Sequence, residues 1–340
     1  MKQVINDQLK LYPDLLEQMQ RRYELLFTVS LFAPIGRRGI VEQTGFAERY
    51  VRNEIEYLQS LQLIEPTTKG VVITERGKDV LRDLLEFQNE LTGITAIEEK
   101  LKQILNVQKV IVVPGNSDTN EFIKHALGRE TVQYLKRMID CDVTIAVTGG
   151  TTMAAVADAM VPFSNYHCLF VPARGGLGER VENQANTIVA KMAHAEKGYY
   201  NLLHVPDPLS EALYQSLLEE ESLNETLQKI QQADIVLHGI GDALTMAKRR
   251  KTDDEVLKKL KKDKAVSEAF GYYFDANGQI VHKVRTFGIQ LEDLTEKTNV
   301  ITVAGGKSKA KAITSYFKRG KSDILITDEA AATEILATKQ

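Results

Sequence analysis

The pattern of apolar and polar positions in the first third of the chain predicts three helices and a β-hairpin. Apolar residues recur at helical spacing in three segments, which are residues 21–33, 36–44 and 47–61. Pro34 and Gly45 separate these segments, because neither residue continues a helix well. Two short apolar runs, 63–65 and 71–74, then flank a polar turn, as expected of two paired strands.

The third predicted helix has one apolar face and one polar face. Val51, Ile55 and Leu58 recur on one side at spacings of four and three residues, and the opposite side is polar. A helix-turn-helix needs a buried face and a polar face that is free for the DNA major groove. The pattern therefore predicts a winged helix-turn-helix DNA-binding domain over residues 1–75.

The side chains predicted to contact operator DNA lie on this polar face, on the preceding helix and in the hairpin. Those predicted to reach base edges are Arg49, Arg52 and Asn53. Those predicted to bind phosphates are Arg37, Arg38, Thr44 and Lys69. An alternative role for Arg52 is an ion pair one helical turn away, with Glu48 or Glu56. Because one helix-turn-helix reads few base pairs, useful affinity needs at least two of them on each operator.

A further helical pattern runs from about residue 75 to residue 105 and bridges to the rest of the chain. Its apolar residues are Val80, Leu81, Leu84, Leu85, Phe87 and Leu91. We predict a linker helix over residues 76–105. Dimerisation is the role that we favour for this segment, and a plain spacer is the alternative.

Beyond residue 105, short apolar runs alternate with helical patterns. The predicted strands are 110–113, 143–148, 168–171, 202–205, 235–238, 300–304 and 324–327. This alternation predicts a doubly wound α/β domain over residues 106–340, with a ligand site beyond the carboxyl ends of the strands. A hairpin is inserted at 265–274 and 279–285, and Asn277-Gly278 forms its turn.

Composition narrows the class of protein. The chain has 340 residues, 43 % of them hydrophobic and 26 % charged, which is ordinary for a globular protein of two or three domains. No stretch is apolar enough for a membrane span, and residues 1–7 lack the pattern of a signal peptide. Cys141 and Cys168 form no CxxC motif, so we expect neither a disulfide framework nor a zinc site, and a cytoplasmic location.

Net charge argues against bulk nucleic-acid binding, because the chain carries a formal charge of −3. The basic signal is local. It consists of four arginines between Pro34 and Arg52. Any contact with DNA is therefore expected to be confined to the predicted helix-turn-helix.

Four glycine-bearing turns follow predicted strands, at 149–152, 174–176, 239–242 and 305–309. One such turn has an ordinary steric explanation, whereas four at the same edge of a sheet indicate a ligand site. Two of them combine the start of a helix with hydroxyl or ammonium groups, which suits phosphate. We call these the first phosphate turn (Gly149, Gly150, Thr151 and Thr152) and the second phosphate turn (residues 305–309).

The ligand class follows from what these turns contain and lack. Neither GxGxxG before a helix nor GxxxxGK[ST] is present, so dinucleotides and nucleoside triphosphates are disfavoured. Two phosphate turns with nearby cations suit a sugar that carries two phosphates. Candidates for bidentate phosphate contacts are Arg174, Arg249 and Arg250. Candidates for the sugar hydroxyls are Gln184, Asp242 and Glu268.

These motifs resemble the sugar-binding domain of SorC/DeoR-type bacterial regulators, which is similar in fold to glucosamine-6-phosphate deaminase and ribose-5-phosphate isomerase. The motifs that carry the resemblance are 147–152, 171–176, 238–241 and 303–306 with Lys309, together with 34–38 and 268–274. The resemblance implies a repressor of the glyceraldehyde-3-phosphate dehydrogenase operon, induced by fructose-1,6-bisphosphate. It also implies dimers or tetramers on DNA, and no cofactor. The implied effector contacts are Gly149, Gly150, Thr151, Thr152, Arg174, Gln184, Arg250, Glu268 and Lys309.

Two other functions remain open at this point. A sugar-phosphate isomerase or deaminase would use the same fold, with a positioned general base. In the related enzymes the Gly-Ile-Gly turn continues into Asp-Gly-His, whereas Ala243 and Leu244 follow Asp242 here, and a DNA-binding domain has no use in an isomerase. The second alternative is an α/β domain that serves only oligomerisation and has a vestigial site.

Overall fold

The structure is a computed structural model that describes residues 13–91, 93–163, 166–176, 180–207 and 209–338. The absence of a signal peptide was predicted for residues that lie outside these ranges. The chain divides into two compact units, with the boundary between Thr95 and Ala96. None of the described helices is long and apolar enough to cross a bilayer.

The elements of the first unit and of the connection to the second follow in chain order. The helices are α1 (Pro13–Phe32), α2 (Arg37–Thr44), α3 (Glu48–Ser60), α4 (Glu75–Leu91) and α5 (Ile94–Leu105). The strands are β1 (Ile64–Thr67) and β2 (Gly70–Ile73).

The second unit continues this numbering. Its helices are α6 (Glu121–Met138), α7 (Thr151–Asp158), α8 (Ala185–Glu196), α9 (Glu211–Glu219), α10 (Glu221–Gln231), α11 (Ala243–Arg249), α12 (Asp254–Lys262), α13 (Ala310–Phe317) and α14 (Glu329–Ala337). Its strands are β3 (Lys109–Val113), β4 (Val143–Val147), β5 (Cys168–Pro172), β6 (Tyr199–Tyr200), β7 (Ile235–His238), β8 (Gly241–Asp242), β9 (Ala265–Ala269), β10 (Tyr272–Asp275), β11 (Ile280–Lys283), β12 (Asn299–Val303) and β13 (Ile324–Asp328).

The first unit is a winged helix-turn-helix, which confirms the predicted fold. Gly45 ends α2 in the left-handed conformation, with φ of +70°, and its N–H donates to the carbonyl of Val41. One apolar core joins the three helices to β1 and β2, and Leu25, Ile40 and Val51 are fully buried in it. The antiparallel β1–β2 pair extends to Thr67 and Gly70, so the turn of the wing is shorter than predicted.

The helix predicted to run from about 75 to 105 is wrong as a single element. The structure has two helices, α4 and α5, with Gly93 between them at φ of +73°. Glycine adopts this left-handed conformation without steric cost, and it interrupts the helical pattern there. Within the second unit, Glu98 of α5 accepts a hydrogen bond from the N–H of Val112, at 2.8 Å, which ties α5 to β3.

The second unit is built on a parallel sheet whose strand order is β3-β13-β12-β7-β4-β5-β6. This confirms the predicted α/β class. Six of the predicted strands appear close to their predicted bounds. Because the strands are parallel, the turns after β12, β7, β4 and β5 emerge at the same edge from four neighbouring strands.

The strand predicted at 202–205 is wrong. The sheet ends instead at β6, and Leu203 is buried in a non-strand segment. The side-chain amide of Asn186 donates to the carbonyl of Leu203 and accepts from its N–H, both at 3.0 Å. A side chain of α8 thus provides the hydrogen bonds that a neighbouring strand would otherwise make.

The predicted hairpin is a three-stranded meander, β9-β10-β11, and β8 pairs with the outer edge of β9. The predicted strand 265–274 is interrupted by a turn at Phe270 and Gly271, with φ of +53° and +86°. The predicted turn at Asn277-Gly278 is confirmed, with Gly278 at φ of +79° between β10 and β11. The pairing of β8 with β9 sets Gly241 opposite Glu268, which brings Glu268 to the carboxyl edge of the sheet.

Candidate functional site

One cavity of about 510 Å³ opens at the carboxyl ends of the four neighbouring strands. Seven of the predicted effector contacts line it, namely Gly149, Gly150, Thr151, Thr152, Arg174, Glu268 and Lys309. Among the lining residues for which the sequence predicted no role are Ser117, Asp118, Lys124, Thr148, Thr245 and Met246. The cavity therefore contains both predicted phosphate turns.

The first phosphate turn presents unpaired donors to the cavity. Among the described residues, none accepts a hydrogen bond from the main-chain N–H groups of Thr151, Thr152 and Met153. Gly150 has φ of +113°, which favours glycine, and the space beside its Cα is open. Gly149 is needed for close approach, because a Cβ there would lie 2.7 Å from the carbonyl oxygen of Asn183. These donors lie at the positive end of α7 and can bind an anion.

The second phosphate turn differs, because carboxylates of the protein already occupy its donors. The N–H of Gly306 donates to Asp328 Oδ2 at 2.6 Å. The N–H of Ser308 donates to Asp118 Oδ2, and the Ser308 hydroxyl donates to Asp118 Oδ1, both at 2.8 Å. Each of the two carboxylates is thus bound in the way that a phosphate would be.

Cations gather around this second turn. Burial lowers the pKa of the Lys309 ammonium, and the positive charges of Arg249 and Lys124 lower it further. None of the described residues hydrogen-bonds or ion-pairs with this ammonium. Lys124 is held by Glu121 at 2.7 Å. The side of the cavity lined by Lys124, Arg249 and Lys309 is therefore suited to bind an additional anion.

Glu268 is the centre of a buried ionic network. Its Oε1 accepts from Arg250 at 2.6 Å, from the N–H of Gly271 at 2.7 Å and from Arg174 at 3.4 Å. Arg174 in turn donates to Asp207. Burial alone would raise the pKa of Glu268, but Arg250 and Arg174 outweigh it and hold the pKa below its usual value. Glu268 is therefore an ionised acceptor.

The structure does not place Arg250 and Gln184 on the cavity wall. Arg250 is 5 % exposed and lies behind Glu268, where it also donates to the hydroxyl of Tyr273 at 3.0 Å. Gln184 precedes α8, next to the Asn183 carbonyl that accepts from Gly150. In this conformation Arg250 positions Glu268, and Gln184 lies beside the first phosphate turn without lining the cavity.

Asp242 does line the cavity, but its carboxylate caps α11. It accepts from the N–H of Thr245 at 2.8 Å and from the Thr245 hydroxyl at 2.7 Å. Both contacts go to Oδ1, so Asp242 Oδ2 and Glu268 Oε2 are each without a hydrogen bond from the described residues.

The predicted DNA contacts all lie in the first unit. Arg49, Arg52 and Asn53 are exposed on α3, opposite the buried Val51 and Leu58. Arg37, Arg38 and Lys69 are exposed as well. Thr44 is partly buried, and its hydroxyl donates to the carbonyl of Ile40. Arg52 lies 3.7 Å from Glu56, the alternative pairing considered from the sequence, in a solvent-exposed geometry that contributes little stability.

Comparison with known proteins identifies the family. A family model described as "Putative sugar-binding domain" matches residues 89–337, and one described as "CggR N-terminal DNA binding domain" matches residues 18–88. A crystal structure described as that of a "putative SorC family transcriptional regulator" from Enterococcus faecalis is 47 % identical, with a TM-score of 0.68. It covers 71 % of this chain and 99 % of its own. The chain belongs to the SorC family of sugar-binding transcriptional regulators.

Two curated relatives of this SorC regulator match along nearly their full length. Both are named "Central glycolytic genes regulator", one from Priestia megaterium at 48 % identity and one from Bacillus subtilis at 47 %. Each match covers 99 % of this chain and 99 % of the relative. The family confirms the coarse function predicted from the sequence, a DNA-binding transcriptional regulator with a sugar-binding domain.

Sequence reasoning missed several polar residues at the cavity of this SorC regulator. Ser117 and Asp118 lie in a polar run, 116–120, that follows the carboxyl end of β3. Small polar residues after a strand were a usable signal there, as they were after β4. Asp207, which accepts from Arg174 behind the cavity lining, follows the segment 202–205 that was predicted to be a strand, so the same signal was present there.

Proposed function

We propose that this regulator represses the glyceraldehyde-3-phosphate dehydrogenase operon and releases its operator when fructose-1,6-bisphosphate binds. The names of the two full-length relatives support a glycolytic target. The lining of the cavity supports a phosphorylated sugar. We further propose that the protein acts in the cytoplasm as a homo-oligomer, because operator affinity needs more than one helix-turn-helix.

The observation that carries this proposal is the first phosphate turn. Three consecutive N–H groups at the start of α7 have no acceptor among the described residues. The side chains of Thr151 and Thr152 add two hydroxyls beside them. Such a set binds a tetrahedral dianion through several charge-assisted hydrogen bonds. We assign one phosphate of the effector to this turn.

The charges of the lining side chains suggest where the second phosphate and a sugar hydroxyl bind. The second phosphate belongs on the side lined by Lys124, Arg249 and Lys309, where positive charge is concentrated. A sugar hydroxyl donates to Glu268 Oε2, because Oε1 is already saturated by donors of the protein. A carboxylate at this position favours a hydroxyl and repels a phosphate.

Induction needs a difference in affinity between two arrangements of the protein. To move operator occupancy from nearly full to nearly empty, the effector must bind the DNA-incompetent arrangement better by about 5.5 kcal/mol, shared across the oligomer. We propose that effector binding changes the contacts between subunits and so the spacing of the DNA-binding units.

An isomerase or deaminase is the competing function, and the site supports it less well. Its general base would have to be a carboxylate or histidine near the substrate carbon. Arg250 and Arg174 hold Glu268 ionised with a lowered pKa, which makes it a weak proton acceptor, and Asp242 caps a helix. A turnover assay with fructose-6-phosphate, glucosamine-6-phosphate and ribose-5-phosphate distinguishes the functions, and turnover of any of them would contradict a purely regulatory site.

The proposal is tested by measuring effector binding and operator release on the same preparation. Calorimetric titration with fructose-1,6-bisphosphate should give saturable heat, and the same ligand should reduce operator retardation on a gel. Absence of heat at millimolar ligand would favour the vestigial-site alternative. Saturable heat without any effect on retardation would contradict the proposed induction.

A further inference from the structure

A carboxylate of the protein occupies the second phosphate turn. Asp118 lies in the loop between β3 and α6, and its two oxygens accept from the N–H and the hydroxyl of Ser308. The Asp118 carboxylate also lies against Gly306, so that any side chain at position 306 would collide with it. This pair of contacts, one main-chain amide and one hydroxyl, is the type of contact that a phosphate makes at such a turn.

The two phosphate turns are therefore in different states in the same cavity. The first has three N–H groups without an acceptor among the described residues. The second has its donors satisfied by Asp118 and Asp328. A phosphate can bind at the first turn directly, but at the second turn it must replace a carboxylate.

Of the two carboxylates, Asp118 is the one that can leave. Asp328 is fully buried, and it also accepts from the N–H groups of Ser117 and Ala331, at 2.8 and 2.9 Å. Asp118 is exposed, and its side chain makes hydrogen bonds to Ser308 alone among the described residues. Water can replace these contacts when the side chain turns outwards, so its departure costs little.

Charge favours the exchange when the incoming group is a phosphate. Lys124, Arg249 and Lys309 face this side of the cavity, and Asp118 and Asp328 are the anions near Lys309. A phosphate monoester carries up to two negative charges and three acceptor oxygens, against one charge and two oxygens for Asp118. A sugar hydroxyl carries no charge and does not replace the carboxylate.

We propose that Asp118 is a displaceable internal anion that senses the second phosphate of the effector. A sugar monophosphate binds at the first phosphate turn and leaves Asp118 on Ser308. A sugar bisphosphate expels Asp118 from the second turn and thereby releases the loop between β3 and α6. This inference rests on the proposed function, because it assumes that a sugar phosphate is the effector.

The test compares two ligands on three variants by calorimetry. The Asp118→Ala variant should bind fructose-1,6-bisphosphate at least about fivefold more tightly than the natural protein, because the competing carboxylate is gone. Its affinity for fructose-6-phosphate should change by less than about twofold. Asp118→Asn, which keeps a single neutral acceptor, should fall between the two. The matched control is Asp140→Ala, an exposed aspartate away from the cavity, which should change neither affinity.

Each outcome decides the matter. Weaker bisphosphate binding by Asp118→Ala would overturn the inference and show that Asp118 contacts the ligand. Equal tightening for both ligands would overturn it too, because the effect would then be one of general charge. If the natural protein binds neither ligand, the proposed function fails. If it binds both and the Thr151→Ala, Thr152→Ala double variant binds both at least about 10-fold more weakly, the function stands whatever Asp118 does.

Discussion

At the scale of single residues, buried ionisable groups decide which side chains can meet a ligand. Arg250 was predicted as an effector contact, yet it lies behind Glu268, with its guanidinium almost fully buried. Glu268 is kept ionised inside the protein by Arg250 and Arg174 together. The ionic network around Glu268 thus stabilises the fold as well as shaping the cavity. Replacing Arg250, which does not line the cavity, should therefore mainly change stability.

Replacing Arg250 should destabilise the protein. Arg250→Met leaves the buried Glu268 with only the longer contact to Arg174 as a charged partner, and losing one member of a buried pair costs about 3 kcal/mol in unfolding free energy. Urea denaturation measures this loss. The control is Lys248→Met, an exposed neighbour, which should change the value by less than about 0.5 kcal/mol. A loss below about 1 kcal/mol for Arg250→Met would contradict the structural role.

Burial of the His238 ring should make the stability of the protein depend on pH. The His238 ring is fully buried and hydrogen-bonded to the Thr302 hydroxyl at 2.7 Å, and burial lowers its pKa to about 4. Between pH 6.5 and pH 4 the unfolded chain binds this proton and the folded protein does not, so stability falls as pH falls. The unfolded ring is only half protonated at pH 6.5, so the loss from this ring between pH 6.5 and pH 5 is about 1.6 kcal/mol, a little below the limit of about 1.36 kcal/mol per pH unit.

A variant isolates this contribution from that of the carboxylates. His238→Gln keeps a hydrogen-bonding side chain but cannot take up the proton, so its unfolding free energy should fall less steeply over the same pH range. Urea denaturation at pH 6.5 and pH 5 measures both slopes. Equal slopes for the natural protein and the variant would refute the assignment.

Some site residues could be predicted from the sequence and others could not, for a physical reason. Thr151, Thr152 and Lys309 follow strands in glycine-bearing turns, so local sequence already placed them at the ligand edge. Asp118 also follows a strand, but its contact with Ser308 joins segments 190 residues apart. Whether Arg250 faces the cavity or the interior depends on β9 and β10, and local sequence carries no information about that packing.

At the scale of elements, the apolar pattern located strands well and turns less well. Runs that are buried on both sides, such as β4 and β7, have an unambiguous signal. The turn at Phe270-Gly271 was missed because an aromatic residue inside an apolar run is typical of a strand. The segment 202–205 was misassigned because it is buried like a strand while the hydrogen bonds come from Asn186.

Helix α3 carries the element-scale prediction about DNA. Arg49→Ala should weaken operator binding about 10-fold to 100-fold, since one good contact to a base edge contributes about 1–3 kcal/mol. Gel retardation at fixed salt measures the affinity. Lys78→Ala is the control in the same unit, because Lys78 lies on α4 and pairs with Glu75. Unchanged affinity for Arg49→Ala would remove this residue from the recognition surface.

At the scale of the whole molecule, we expect DNA binding and effector binding to be carried out by different units. The predicted DNA contacts lie in one compact unit and the predicted phosphate turns in the other. Side-chain variants of the first phosphate turn should therefore leave operator affinity intact and weaken release. The fold class and the presence of a DNA-binding unit and a sugar-binding unit could be predicted from the sequence. Each unit has its own pattern of apolar residues and its own motifs.

The double variant Thr151→Ala, Thr152→Ala is the test of this separation. It should bind operator within about twofold of the natural protein, but release should need at least about 10-fold more fructose-1,6-bisphosphate, since two charge-assisted hydrogen bonds are lost. Retardation gels with increasing effector measure both quantities. Normal release by this variant would refute the phosphate assignment.

The most direct test of the central claim is a crystal structure of the sugar-binding unit with fructose-1,6-bisphosphate. The account predicts one phosphate on the main-chain N–H groups of Thr151, Thr152 and Met153, at hydrogen-bonding distances of about 2.7–3.0 Å. It also predicts the other phosphate beside Lys309. Ligand density that leaves the start of α7 empty, or no density at saturating ligand, would contradict the account.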